Sequence, residues 1–308
     1  MLNYIFIGVL CICLIFYVLF PWIVFQFIFK KPKRSKKVPK FYQGTPHYIA
    51  SRKGMAFMDQ IGYEDVYMNS FDGLRLHAYL YKAEQPSKKF VLGIHGYRSY
   101  ARPEFGPYIE FYRKHGYNMF LPDDRGHAPS EGDYIGFGVL DRLDCVDWAK
   151  YIVDTYGDDV EIIMHGVSMG AATVLSASAE NLPAQVKGIV ADCGYSDPME
   201  VLVNQLKLPD AKDVMQKVEK ICIKKMGYDL HSVTALKQVQ KAHVPIFFVQ
   251  GGKDTMVPSY MVYELFKACP TRKRLLYVSD AAHAESICLA KKEYEQCLID
   301  FFGMEKLL

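Results

Sequence analysis

From Leu2 to Phe29 the chain is apolar in every direction, and no side chain in the run carries a charge. A helix hydrophobic all round is not a surface helix. The run also exceeds the ~20 residues that cross a bilayer. Residues 1–29 are therefore expected to form one transmembrane helix, with room for tilt or a bend at Pro21. Further on the pattern changes period. "EDVYMNS" and "LRLHAYLYK" alternate and flank Asp72-Gly73, which predicts a hairpin. "KFVLGIHG", "GYNMFLPD", "VEIIMHG", "VKGIVAD", "VPIFFVQG" and "RKRLLYVSD" are short apolar runs, predicted as strands. Between them lie stretches with helical spacing: 103–115, 139–157, 168–180 and 259–269, with a last one from Ala284 to Phe302. A hairpin followed by alternating strand and helix implies an α/β fold with a mostly parallel sheet covered on both faces. The alternation breaks over residues 195–240, which are helical and hold no strand. Such an insertion at the strand ends is expected to act as a lid.

Charge adds direction to this picture. Lys30, Lys31, Lys33, Arg34, Lys36, Lys37 and Lys40 crowd the C-terminal flank of the apolar run, and no Lys or Arg precedes it. Positive residues stay on the cytoplasmic side. The expectation is a single-pass membrane protein with its N-terminus outside and its main domain in the cytoplasm. The same block would attract anionic headgroups. The organisation read from this is an anchor over 1–29, a basic juxtamembrane linker over 30–60 and a main domain over 61–308. The net charge is only +3, and no later basic stripe is interleaved with aromatics, so no nucleic-acid partner is expected. Half the residues are hydrophobic, as in globular proteins. The eight cysteines form no C-x-x-C pair and suggest neither a zinc site nor a disulfide framework.

The chemistry centres on "EIIMHGVSMGAAT". G-x-S-x-G alone is weak. Here a strand leads in and a helix of small residues leads out, which is the context of a nucleophile elbow. Ser168 would project at the sheet's C-terminal edge, beside a helix N-terminus that favours developing negative charge. A serine hydroxyl needs a base. Asp254 in "GGKDTMVP" and His283 in "DAAHAES" each follow a later strand, in the order Ser, acid, His. Asp192, which ends "VKGIVAD", is a competing acid. The backbone N–H groups of Tyr97, after His95-Gly96, and of Met169 are candidates for an oxyanion hole. His165 and Cys193 also fall near this edge, where packing and loop support account for them.

With "HGY", "DDRGHAPSEG", "GVSMG", "GGKDTMVP" and "DAAHAES" in hand, the chain from about Glu64 onward resembles the α/β-hydrolase superfamily of serine esterases, lipases and peptidases. Within it the chain is similar to bacterial hydrolases with an N-terminal membrane anchor. Ala128 departs from the related "RGHG" pattern, in a loop that Arg125 and His127 would organise. The resemblance implies hydrolysis of an ester or thioester, with Ser168 as nucleophile, His283 as base and Asp254 orienting it. It implies a small-molecule or lipid-like acyl substrate, no organic cofactor and no metal. A peptidase or acyltransferase on the same triad is the alternative. A membrane-anchored binding protein without catalysis is the rival from another class.

Overall fold

The computed structural model describes residues 17, 19–32, 43–127 and 129–304. The larger part of the expected transmembrane run, and Ala128, lie outside the described residues. Among the described residues no helix is long and apolar enough to cross a membrane.

Eight strands form one sheet: β1 (Glu64–Asn69), β2 (Arg75–Tyr81), β3 (Lys89–Ile94), β4 (Tyr117–Asp123), β5 (Glu161–Val167), β6 (Val186–Asp192), β7 (Ile246–Gly251) and β8 (Lys273–Val278). Their order is β1-β2-β4-β3-β5-β6-β7-β8. The expected hairpin is present, with Glu64 opposite Leu80 and Asn69 opposite Arg75. β2 also runs antiparallel to β4, and every pairing from β4 to β8 is parallel. The strand order reverses about β3, which puts the topological switch point at the carboxyl ends of β3 and β5.

The strands feed two cores by alternation. Phe90, Leu92 and Ile94 of β3 enter one, and Val91 enters the other. The first core is covered by α1 (residues 19–29), α5 (Asp141–Tyr156), α6 (Met169–Ala177) and α10 (Tyr260–Ala268). It also receives the inserted helices α7 (Pro198–Leu206), α8 (Ala211–Met226) and α9 (Ala235–Val239). The second core is covered by α2 (Pro46–Ile61), α3 (Ala101–Phe105), α4 (Ile109–Lys114), α11 (Ser286–Leu289) and α12 (Lys291–Phe302).

Three local outcomes differ from the sequence reading. Residues 46–61 fall in the stretch read as a linker, yet they form α2. Thr45 caps it by accepting from the Tyr48 N–H, Pro46 opens it, and His47, Ser51, Gly54 and Met58 are buried. Its buried face is small and partly polar, so hydrophobic spacing does not reveal it. The helix expected over 103–115 is broken by a 3-10 turn at Gly106–Tyr108, where Gly106 packs on the backbone of Ser51. The terminal helix is interrupted at Ala290.

Candidate active site

β5 ends at Val167 and α6 begins at Met169, so Ser168 alone turns the chain. It adopts φ 57° and ψ −117°. A conformation of this kind costs on the order of 1–3 kcal/mol and persists only when its surroundings impose it. Two glycines do so. A Cβ on Gly166 would lie 2.2 Å from the Gly170 carbonyl oxygen, and one on Gly170 would lie 2.0 Å from that of Ile94. The Ser168 N–H donates to the Asp192 carbonyl at 2.8 Å, which fixes the bend against β6.

Ser168, His283 and Asp254 come from three separate loops at this edge and meet. Ser168 Oγ is 2.7 Å from His283 Nε2, and His283 Nδ1 is 2.7 Å from Asp254 Oδ2. The carboxylate can only accept, so Nδ1 carries the proton and Nε2 is free to accept from the hydroxyl. Asp254 is itself held: its Oδ1 accepts from the N–H groups of Met256 and Val257 at 2.8 and 2.9 Å, and its Oδ2 from Gln250 Nε2 at 3.2 Å. Burial disfavours the His283 imidazolium, but the hydrogen bond and charge of Asp254, with Glu104 and Asp192 behind it, outweigh burial and raise its pKa.

Asp192, the competing acid, is engaged elsewhere. Its Oδ2 accepts from the hydroxyls of Tyr294 at 2.9 Å and Tyr108 at 3.1 Å. Burial pushes its carboxyl up to about 6, with the two tyrosines opposing. His165 is fully buried among tyrosines, with Nδ1 2.9 Å from the Tyr112 hydroxyl, and burial drives its pKa down to about 3. Cys193 lies closer to the chemistry, its Sγ 4.0 Å from His283 Nε2. Cys193, Asp254 and His283 are the one group among the described residues that could gather about a metal ion. Both His283 nitrogens already serve Asp254 and Ser168, so an ion there would displace that line rather than assist it.

The loop carrying Tyr97 lies directly against the serine. A Cβ on Gly96 would sit 3.3 Å from Ser168 Cβ. Two histidines shape the loop. The Asp124 N–H donates to His95 Nε2 at 3.0 Å, and the Arg98 N–H donates to His127 Nε2 at 3.2 Å. Each ring then directs its Nδ1 proton to a carbonyl, of Gly96 and Arg125 respectively. Arg125 bonds both oxygens of Asp144 and both of Asp72, tying α5 to the hairpin turn. These contacts give His95, Arg125 and His127 structural work. Met169 is fully buried at the start of α6.

Sequence reasoning missed two neighbours of this loop. Glu104, buried in α3, accepts from the Gly96 N–H at 3.1 Å, and its other oxygen is 3.4 Å from His47 Nε2 on α2. Burial alone would raise the Glu104 carboxyl, but the His47 bond and charge, then Ser99 and Gly96, hold it down at about 2. No spacing rule points to either residue, because their partners lie across the fold. Capping Thr45-Pro46 was the available signal for α2, and it says nothing about His47.

A family model described as serine aminopeptidase, S33, matches residues 85–228. The esterase Pf2001 of Pyrococcus furiosus superposes with a TM-score of 0.66 at 23% identity, covering 89% of this chain and 97% of that one. The chain has the α/β-hydrolase fold. Among curated relatives, the uncharacterized protein YqkD of Bacillus subtilis is 23% identical over 204 residues, covering 63% of this chain. The chain spans 65% of the length of that relative. The uncharacterized membrane protein YNL320W of Saccharomyces cerevisiae is 21% identical over 245 residues, 78% of each chain.

Proposed function

We propose that this α/β-hydrolase-fold protein is a serine hydrolase that cleaves a carboxylic ester or thioester through an acyl-enzyme. The observation that carries the reading is the hydrogen-bonded line from Ser168 through His283 to Asp254 at a strained strand-to-helix turn. Ser168 Oγ attacks the acyl carbon while His283 Nε2 takes its proton. The Tyr97 and Met169 amides receive the developing oxyanion. His283 then protonates the leaving alcohol or thiol, and Asp254 holds the ring and stabilises the imidazolium. Water repeats the sequence on the acyl-enzyme and releases the acid. The helices of residues 195–240 serve as the lid and select the acyl group, which we take to be small or lipid-like. The anchor over 1–29 and its basic flank hold the domain at the cytoplasmic face of a membrane. The yeast relative's description as a membrane protein supports attachment to a membrane, and the side rests on the charge asymmetry alone.

Peptidase activity on the same triad is the second reading, favoured by the aminopeptidase family model over residues 85–228. Nitrophenyl esters of rising chain length and aminoacyl nitroanilides, offered to the same preparation, separate the two. Ser168→Ala is expected to keep the fold by circular dichroism and lose both ester turnover and fluorophosphonate labelling. Full turnover in that variant would remove the mechanism. Absence of labelling in the unmodified protein would favour a non-catalytic binding protein.

A further inference from the structure

The end of the apolar N-terminal run is built into the mouth of the site. Along α1, Val24, Phe25, Ile28 and Phe29 are buried in the first core, in the company of Phe137 and Met169. The Tyr97 hydroxyl donates to the Ile28 carbonyl at 2.8 Å, and Arg98 bonds the Phe27 carbonyl. The Ile135 N–H donates to the Phe29 carbonyl at 2.7 Å. α1 is thus fastened to the loop that carries the Tyr97 amide.

Among the described residues the opposite side of α1 is largely uncovered, with the Arg98 guanidinium 5.1 Å from the Phe27 ring centre. Ile23 is 57% exposed and Phe27 68% exposed, one turn apart, and Leu19 continues the same stripe. Beside it runs α8. Lys225 Nζ lies 5.6 Å from the Trp22 ring centre, and Lys217 Nζ lies over the Tyr17 ring. The outer side of α8 combines exposed Lys220, Lys224 and Lys225 with Ile223, itself 51% exposed. An apolar stripe edged by lysines, with an aromatic ring at the boundary, is the composition of a surface that lies in an anionic headgroup layer.

We propose that the catalytic edge faces an anionic bilayer, with the outer sides of α1 and α8 in the headgroup layer, and that the site draws its acyl substrate from the lipid phase. The substrate half of this proposal rests on the serine hydrolase reading, and the orientation half does not. The test uses full-length protein in vesicles of phosphatidylcholine with one quarter phosphatidylglycerol. A nitroxide at Ile223→Cys, in a Cys11→Ala, Cys13→Ala, Cys288→Ser background, is examined by power saturation with oxygen and a water-soluble nickel chelate. The comparison site is Gln85→Cys, on the exposed turn before β3. The Ile223 label is expected at headgroup depth and the Gln85 label in water. Equal exposure of both labels to nickel overturns the orientation. So does shielding of Ile223 that grows with protein concentration rather than with lipid, because a second copy would then cover the face.

The substrate half has its own arm. Lys220→Glu, Lys224→Glu and Lys225→Glu together should lower turnover of a long-chain ester embedded in these vesicles at least tenfold more than they lower turnover of the same ester in neutral detergent micelles, or of soluble nitrophenyl acetate. An equal effect on all of these would overturn it. If the unmodified protein hydrolyses neither ester while Ile223 reports headgroup depth, the orientation stands and the hydrolase reading fails.

Discussion

Ser168 is held at φ 57° by glycine contacts that admit no other residue, and the histidine it faces has its pKa raised. The general base must be neutral to accept the serine proton. The acid limb of kcat/KM is therefore expected above about 6.5, the ordinary histidine value. Activity falls as pH drops through that limb. Asp254→Asn should lower kcat by about 10⁴, because it disturbs the tautomer that points Nε2 at the serine. Asp192→Asn, which removes a more distant negative charge, should keep most turnover and move the limb downward. A pH–rate profile of the three proteins checks this, and the reverse order of losses would reassign the acid. Glycine-serine spacing, the acid loop and the histidine loop made these residues legible in the sequence. Between Asp254 and Asp192 the sequence favours Asp254, because "GGKDTMVP" has the form of an acid loop. The Tyr108 and Tyr294 hydroxyls around Asp192 come from across the fold, where no local pattern reaches.

Strands were legible as the alternating hairpin or as short apolar runs, as in β5, and helices wherever a period of 3.6 ran without interruption, as in α5. α2 was not, because it earns burial through His47 and Ser51 as much as through Met58. Its importance lies in the His47–Glu104 pair that braces the Gly96 loop. The Glu104 carboxyl has its folded pKa at about 2, below the ~4.3 of an unfolded glutamate. The charged form thus stabilises the fold above about pH 4.3, by about 3 kcal/mol, and that contribution fades as the pH falls toward 2. Glu104→Gln should be less stable than the parent at pH 7. The difference should shrink by roughly half at pH 3, measured by thermal melts at both pH values. A gap that stays constant would mean that Glu104 is not ionised in the fold.

The molecule as a whole carries a directional charge: seven Lys and Arg lie within Lys30–Lys40, against none from Met1 to Phe29. This asymmetry predicts a cytoplasmic domain. The described cysteines are buried except for Cys288, which is partly exposed. A Gln85→Cys protein that also carries Cys11→Ala, Cys13→Ala and Cys288→Ser should therefore resist a membrane-impermeant maleimide in intact cells and react after lysis; labelling of intact cells would put the domain outside. Hydropathy made the apolar run legible but not its last two turns on the domain, since packing against Tyr97 and Phe137 leaves no mark in composition. That seat bears on how a water-soluble form could be made. Cutting the chain near Val38, the obvious way to shed an anchor, also strips Val24, Phe25, Ile28 and Phe29 from the core. At ~1.5–3 kcal/mol for each buried side chain, the loss is about 6–12 kcal/mol of gross burial. That is comparable with the whole stability of a typical domain, about 5–15 kcal/mol. The shortened protein would bare Phe137 and leave the Tyr97 hydroxyl without the Ile28 carbonyl. A weak or aggregating truncate would then report on a missing support of the Tyr97 loop and say little about the chemistry of the intact chain.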